Sequence, residues 1–278
     1  MTTSKSNTPE SANQPLNGKF IHVERAGAIE WLSLNRPDSF NSLNLGLTEE
    51  LYDYFGNLPD RQEVRVVVLR GAGKHFCAGY DLDDVEQLTM SVEQGLRLQR
   101  RLSEVIVRMR RCPQPVIGLL QGAACGGGFA LALGCDVRFA APNARMNVAM
   151  AKIGLTGCDM GISYFLPRAV GPAVAAELMY TGRFINAERA LRVGLVNDVV
   201  PEEDLIDTAR TLAHEMLSMS PVGLRLTKDG LAMAQEVSSL PAVISLEDRG
   251  QTMCFDAFMK EGVAAFREKR PPHYGSQE

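Results

Sequence analysis

The stretch Gly122 to Asp136, GAACGGGFALALGCD, places three consecutive glycines between an apolar run and residues of helical character. The run before it, Val116 to Leu120 (VIGLL), is short, apolar and rich in branched residues, which is typical of a buried strand. Gly126, Gly127 and Gly128 have no Cβ atom, so the backbone can take unusual dihedrals and a ligand can approach the amides closely. The pattern predicts a strand, a glycine turn and a helix, in that order.

This glycine turn has two interpretations. The N–H groups of a first helical turn have no partner within the helix, and they attract negative charge. The glycines could therefore hold an anionic oxygen at the start of the helix. They could equally provide only the space for a close crossing of helix and strand, and glycine alone does not decide between the two.

Composition limits the class of protein. The chain has 278 residues, with 29 Lys and Arg against 33 Asp and Glu, so its formal net charge is -4 and no nucleic-acid partner is expected. No apolar run approaches the roughly 20 residues that a membrane helix needs, so no membrane insertion is expected. The 6 cysteines form no CxxC pair, which predicts reduced thiols, no metal site and a cytoplasmic protein.

The order of strand-like and helical patterns predicts an α/β fold with parallel strands. Strands are predicted at 20–25, 29–34, 64–70, 116–120, 136–140 and 195–200, the first two as a hairpin. Helices are predicted at 48–58, 91–111, 173–180 and 187–193. We expect the first helix to be capped near Thr48 and the second to open with a capping box of Ser91 and Gln94.

Three segments differ in composition. Residues 1–18 are polar and predict a disordered tail, whereas residues 19–200 carry the strand and helix patterns of an α/β core. Residues 201–278 are almost entirely helical in pattern. Apolar helix faces at the end of such a core favour packing against another copy of the chain, so we predict a homo-oligomer.

Several motifs in this order resemble the crotonase, or enoyl-CoA hydratase/isomerase, superfamily. The resemblance runs from about Phe20 to about Tyr274 and includes the glycine turn. Its other anchors are LNRP at 34–37, NSL at 41–43, FCAGYDL at 76–82, LPR at 166–168, VG at 170–171, AERALRVGLV at 187–196 and the segment 266–272. The resemblance implies a spiral of ββα repeats with a C-terminal helical trimerisation region, in a homotrimer or a dimer of trimers. It also implies an acyl-CoA substrate and no permanently bound cofactor, coenzyme A being part of the thioester.

The resemblance also implies a site. In this superfamily two backbone N–H groups form an oxyanion hole for the thioester oxygen, and the matching residues are Ala78 and Gly127. The implied contacts to coenzyme A or substrate are Arg36, Lys74, His75, Asp81, Leu82, Phe266 and Lys269. For each basic residue the alternative is an ordinary surface charge.

The sequence departs from the hydratases of this superfamily, which add water with two glutamates. The matching positions hold Ala130 and Met150, which cannot transfer a proton. Together with Phe129 and Cys158 they are expected to line the pocket. Two-glutamate hydration is therefore not expected.

Asp159 is the remaining candidate acid or base. Its loop is similar to those in which dienoyl-CoA isomerases place a proton-carrying aspartate and chlorobenzoyl-CoA dehalogenases place a nucleophilic one. A single carboxylate beside an oxyanion hole suits proton shuttling between carbons, so isomerisation is favoured, with Asp159 catalytic. Three alternatives stay open: Asp159 as the cap of a helix near Ile162, a dehalogenase-like thioester enzyme, and a non-catalytic acyl-CoA-binding protein.

Overall fold

In the computed structural model of the chain, the residues described are 18–82, 91–255 and 257–274. Nearly all of the predicted N-terminal tail lies outside these ranges. Within them, the larger sheet has 6 strands in the order β1-β2-β3-β4-β6-β9. β1 and β2 pair antiparallel, which confirms the predicted hairpin, and the other neighbours pair parallel. These strands are β1 Ile21–Ala26, β2 Ile29–Leu34, β3 Val66–Gly71, β4 Val116–Leu120, β6 Val137–Ala140 and β9 Asp198–Val199.

A smaller sheet forms beside the glycine turn. It comprises β5 Ala123–Cys125, β7 Arg145–Asn147 and β8 Ile185–Asn186. β5 and β7 pair parallel, and β7 and β8 pair antiparallel. Because β5 follows β4 after two residues, the chain passes from the large sheet to the small sheet immediately before the glycines.

The helices connect and cover these sheets. They are α1 Leu45–Asn57, α2 Val92–Arg111, α3 Gly127–Gly134, α4 Ile162–Val170, α5 Pro172–Thr181, α6 Ala187–Arg192, α7 Leu205–Leu217, α8 Pro221–Glu236, α9 Leu240–Met253 and α10 Ala257–Glu268. The predicted capping box of Ser91 and Gln94 is confirmed at the start of α2. The predicted cap of α1 near Thr48 is wrong, because the side chain of Asn44 accepts the N–H of Leu47 and the helix begins at Leu45.

The large sheet separates two apolar clusters. Val67 and Leu69 of β3 lie in the cluster that also contains buried residues of α1 and α2. Val66 and Val68 lie in the opposite cluster with Leu205 and other residues of α7. Alternate strand residues therefore face opposite layers, as the two-residue period of a strand requires. Helix α7 joins the C-terminal helices to the sheet, and a division into domains at residue 200 stays a prediction.

Helix α8 is fixed to the core by a buried cation. Lys228 is 5% exposed, and its Nζ lies 3.0 Å from Asp136 Oδ2. The same ammonium donates to the carbonyl of Gln114 at 2.8 Å. Asp136 also accepts the backbone N–H of Val116 at 2.8 Å and pairs with Arg110. Because a buried cation needs such partners, this cluster fixes the position of α8 against α2 and β4.

Beyond α8 the helices expose many large apolar side chains. Helices α9 and α10 carry Leu240, Ile244, Met253, Met259, Val263 and Phe266 with two-fifths or more of their surface exposed. None of the helices among the described residues is long and apolar enough to cross a membrane.

Candidate active site

Each of the three glycines of the turn occupies its position for a different structural reason. Gly126 has φ +52°, a conformation that L side chains rarely adopt. A Cβ on Gly128 would lie 2.1 Å from the carbonyl oxygen of Cys77, so this position needs glycine for close approach. Gly127 opens helix α3. The close-crossing interpretation therefore explains Gly128, while Gly127 is placed to present an amide.

The N–H of Gly127 is available to a ligand. As the first residue of α3, Gly127 has no partner for its N–H within the helix. No acceptor elsewhere in residues 18–82, 91–255 and 257–274 bonds to it. A Cβ on Gly127 would lie 2.7 Å from Leu43 Cδ1 and 3.3 Å from Met160 Sδ, so two apolar side chains flank this amide. The amide and its surroundings are suited to a polarised oxygen shielded from water.

The expectation that Ala78 supplies the second amide is contradicted by its hydrogen bond. The N–H of Ala78 donates to the carbonyl of Phe40 at 3.1 Å, so this donor is already used within the fold. Its neighbour Cys77 pairs with β5 on the other side, where the N–H of Cys77 donates to Ala123 at 3.0 Å. Successive amides of this extended segment thus point to opposite sides.

Tyr80 is turned toward the glycine turn by its pairing with Leu43, because Gly79, at φ +109°, interrupts the alternation. Leu43 lies on the outer side of the segment: its N–H donates to Gly79 at 2.7 Å, and its carbonyl accepts the N–H of Asp81 at 2.8 Å. In a parallel pairing of this kind, the N–H of the residue between them points away from the partner. A Cβ on Gly79 would lie 3.8 Å from the Cα of Gly126, so the inner side is the glycine turn. The N–H of Tyr80 is therefore directed to the side where Gly127 lies.

Asn41 holds the two loops that border the site. Its Oδ1 accepts the N–H of Arg36 at 2.9 Å, and its Nδ2 donates to the carbonyls of Ala72 and His75 at 2.9 and 2.7 Å. Its side chain is fully buried, and its φ of +56° is one that asparagine tolerates better than most residues. The motif around Asn41 was recognised in the sequence, but its role required these long-range contacts.

Replacing Asn41 should destabilise both loops. Asn41→Ala removes three partly buried hydrogen bonds and leaves two carbonyls and one N–H without this partner, so we expect a loss of about 3 kcal/mol in the free energy of unfolding. Denaturant titration measures it. Asn57→Ala, at the exposed end of α1, is the matched control and should change stability by less than about 0.5 kcal/mol. Equal effects at the two positions would contradict this role.

Arg36 and Asp81 bind each other. Arg36 Nη2 lies 2.9 Å from Asp81 Oδ2, and both side chains are mostly buried. The other end of the guanidinium donates to the carbonyl of Ser42. Arg36 thus has a clear structural role, linking the two loops beside the site.

His75 and Lys74 lie at the outer edge of the second loop. His75 Nδ1 accepts the N–H of Ala123 at 3.1 Å, and its ring packs edge-on against Phe40 with centroids 5.0 Å apart. His75 therefore connects this loop to β5. Lys74 is exposed and, with His75, Asn143 and Arg145, borders a cavity of about 330 Å³. Leu82 is 55% exposed.

The two predicted contacts from the C-terminal region are both exposed. Phe266, on α10, is 87% exposed, and Lys269 follows the helix with an exposed side chain. Within the described parts of the chain, no hydrogen bond or ion pair joins either side chain to the loop at 74–82. Their contact with coenzyme A stays a prediction.

The predicted lining residues differ in position. Phe129 and Ala130 are fully buried in α3. Met150 is 6% exposed, and its Cε lies 4.0 Å from the position of a Cβ on Gly126, so it borders the turn. Cys158 is exposed. Burial raises the pKa of Cys125, next to the turn, to about 11, so this thiol is protonated at neutral pH.

Asp159 is held from helix α2. The side-chain amide of Gln99 donates to its Oδ1, and the N–H of Met160 also bonds to the carboxylate. Burial raises the pKa of Asp159, and these two hydrogen bonds partly oppose the rise because they favour the charged form. Since Met160 also lies against Gly127, Asp159 is one residue away from a side chain that flanks the free amide.

The interpretation of Asp159 as a helix cap is contradicted. Helix α4 begins after Gly161, which occupies the capping position, and no side chain caps the helix. Only the backbone carbonyl of Asp159 takes part, accepting the N–H of Ile162 at 2.8 Å. The carboxylate is therefore left for another role.

The candidate site brings backbone amides together with the carboxylate of Asp159. Among the described residues, no group of three or more His, Cys, Asp or Glu side chains is placed to hold a metal ion. A backbone amide such as that of Gly127 is of the kind that stabilises an oxyanion, and a carboxylate such as that of Asp159 is of the kind that moves a proton.

Comparison with known proteins identifies the family to which this chain belongs. The sequence model of the enoyl-CoA hydratase/isomerase family matches residues 24–277. The chain belongs to the enoyl-CoA hydratase/isomerase family. The solved enoyl-CoA hydratase of Bacillus anthracis is 34% identical, with a TM-score of 0.88 over 93% of this chain and 100% of the other. The crotonase fold predicted from the motifs is thereby confirmed.

Relatives within the enoyl-CoA hydratase/isomerase family carry different activities in their names. A probable enoyl-CoA hydratase of Mycobacterium tuberculosis is 39% identical over 88% of both chains. The 1,2-epoxyphenylacetyl-CoA isomerase of Escherichia coli is 35% identical over 91% of this chain and 96% of its own. Membership therefore shows that the chain belongs to an enzyme family that acts on coenzyme A thioesters. It does not show whether the reaction is hydration or isomerisation.

Proposed function

We propose that this protein is an acyl-CoA isomerase of the enoyl-CoA hydratase/isomerase family that moves a proton between carbons of the acyl chain. The observation that carries the proposal is Asp159, a partly buried carboxylate held by Gln99 and followed directly by a residue that contacts Gly127. The two positions of the hydratase glutamates hold Ala130 and Met150, which supply no acid or base.

The thioester oxygen is held by two backbone amides in this proposal. Gly127 is one donor, and Tyr80 replaces Ala78 as the other, because the N–H of Ala78 is bonded to Phe40. As negative charge develops on the oxygen, fixed amides stabilise it without reorganising, and a single donor of this kind contributes about 3 kcal/mol.

Asp159 then acts twice. Its carboxylate removes a proton from one carbon of the chain, and the electron pair moves to the thioester oxygen as an enolate. The resulting carboxylic acid returns the proton to a different carbon, which moves the double bond and restores Asp159. The raised pKa of Asp159 suits this exchange, since proton transfer is most efficient when the group's pKa lies closer to the operating pH.

Coenzyme A would lie across the loop at 74–82. Lys74 is exposed there and can pair with a phosphate, whereas Arg36 is already paired with Asp81. Phe266 and Lys269, both exposed, would complete the binding site from a neighbouring subunit. The exposed apolar residues of α9 and α10 support the homotrimer or dimer of trimers in which this would occur.

A non-catalytic acyl-CoA-binding protein is the second candidate, supported by Ala130 and Met150 at the glutamate positions. Product analysis separates the two. The protein is incubated with 3-enoyl- and 2-enoyl-CoA thioesters, and mass spectrometry and NMR identify the products. We expect a shifted double bond at unchanged mass. Addition of one water as the main product would contradict isomerisation, and tight binding without turnover would favour the second candidate.

The pH profile should depend on Gln99. Its hydrogen bond lowers the pKa of Asp159, so Gln99→Leu should raise that pKa. Since the carboxylate must be ionised to remove a proton, the acidic limb of the kcat/KM profile should move to higher pH. Activity then falls most at low pH and recovers as pH rises. The control Gln251→Leu, an exposed residue of α9, should leave the profile unchanged. A uniform loss at every pH would contradict this role.

A further inference from the structure

A cavity of about 780 Å³ lies between helices α2, α4 and α8. Its lining is mainly apolar and includes Ile106, Val107, Met160, Phe165, Leu226 and Ala232. Its charged wall residues are Arg110, Arg111, Arg225, Lys228, Asp229 and Glu236, of which Arg110 and Lys228 are both paired with Asp136. The other two cations are matched in number by the two wall carboxylates, so the apolar side chains of the lining favour an apolar occupant over an anion.

The cavity adjoins the proposed reaction site. Met160 and Gly161, which line it, directly follow Asp159 in the chain. The sulfur of Met160 also lies 3.3 Å from the position of a Cβ on Gly127. Met160 therefore contacts the oxyanion glycine and also forms part of the cavity wall.

Helix α2 links Asp159 to the cavity along one face. Gln99 binds Asp159, and Ser103, Ile106 and Arg110 line the cavity. Spacings of three and four residues place these side chains on the same side of the helix. From Gln99 to Arg110 the helix rises about 16 Å, which an extended alkyl chain of about a dozen carbons can span.

We propose that this cavity receives the distal part of an extended apolar acyl chain, so that the substrate is a long-chain acyl-CoA. The inference rests on the proposed function, because it places the thioester at Gly127 and the reacting carbons at Asp159. The chain then passes Met160 and follows helix α2 into the cavity. Short acyl groups end before the cavity and gain nothing from it.

The native protein gives the first test. We measure kcat/KM with enoyl-CoA thioesters of 4, 8 and 14 carbons. Each methylene that becomes buried in the cavity should raise kcat/KM about fourfold, so these lengths should give clearly different values. We expect kcat/KM to rise steeply with length. Turnover of the shortest substrate without any gain from longer chains would overturn this inference alone. Failure to bind any acyl-CoA would overturn the proposed function and, with it, this inference.

A substitution on helix α8 gives the second test. Ala232 lines the cavity, so Ala232→Phe should fill part of it and lower the ratio of kcat/KM for the long chain over the short chain by about tenfold or more. Ala234→Phe makes the same change at an exposed position of the same helix and should leave the ratio unchanged. Equal ratios in the two variants and the native protein would overturn the inference. If Ala232→Phe does not fold, the native chain-length series decides.

Discussion

Asp159→Asn is expected to lower kcat by about a hundredfold to ten-thousandfold while acyl-CoA binding is retained, since this is the usual contribution of a positioned acid or base. Asparagine has nearly the same shape, and its carbonyl oxygen can still accept the hydrogen bond from Gln99. The variant therefore keeps the geometry and removes only the ability to exchange a proton. Steady-state kinetics and calorimetric titration with acyl-CoA measure the two properties.

The same substitution should not reduce stability. Burial raises the pKa of Asp159, so the folded protein binds this proton more tightly than the unfolded chain does. At neutral pH the charged carboxylate therefore opposes folding, and asparagine should leave the thermal midpoint unchanged or slightly higher. Asp53→Asn, an exposed position on α1, is the control for the chemical change. Undiminished turnover in Asp159→Asn, or a loss of turnover explained by unfolding, would contradict the catalytic role.

Gly127→Pro is expected to lower kcat by about a hundredfold to a thousandfold relative to Gly127→Ala. Proline has no backbone N–H, so the substitution deletes the proposed oxyanion donor. The first residue of a helix is the position where proline is best tolerated, and Gly127 is the first residue of α3.

The alanine variant is the matched control for the added bulk. In both variants a new Cβ meets Leu43 Cδ1 and Met160 Sδ, which belong to flexible side chains that can move. Gly127→Ala retains the N–H, so the difference between the two variants measures the donor. Circular dichroism checks that both fold. Equal kcat values in folded Gly127→Pro and Gly127→Ala would show that this amide does not stabilise the transition state.

The sequence predicted the parts of the site that follow from local rules. The glycine run after a short apolar strand predicted the turn and the start of helix α3, because backbone freedom and free N–H groups depend only on neighbouring residues. The capping box at Ser91 was readable for the same reason. The start of α1 was misplaced because asparagine and threonine are both common capping residues, and composition does not rank two candidates four residues apart.

The errors in the site arise from long-range contacts. Ala78 was predicted as the second donor because the motif fixes the loop but not which amides face inward. That direction is set by hydrogen bonds to Phe40, Leu43 and Ala123, which lie far away in the sequence. The role of Asp159 was similarly open, since Gln99, which holds the carboxylate, lies 60 residues away.

The most direct test of the central claim is proton exchange by the native protein in D₂O. Acyl-CoA is incubated with the native protein and with Asp159→Asn, and NMR follows deuterium incorporation and the position of the double bond. We predict that the native protein shifts the double bond and exchanges protons on the reacting carbons, while Asp159→Asn does neither and still binds the thioester. Equal exchange in both proteins would contradict the assignment of proton transfer to Asp159.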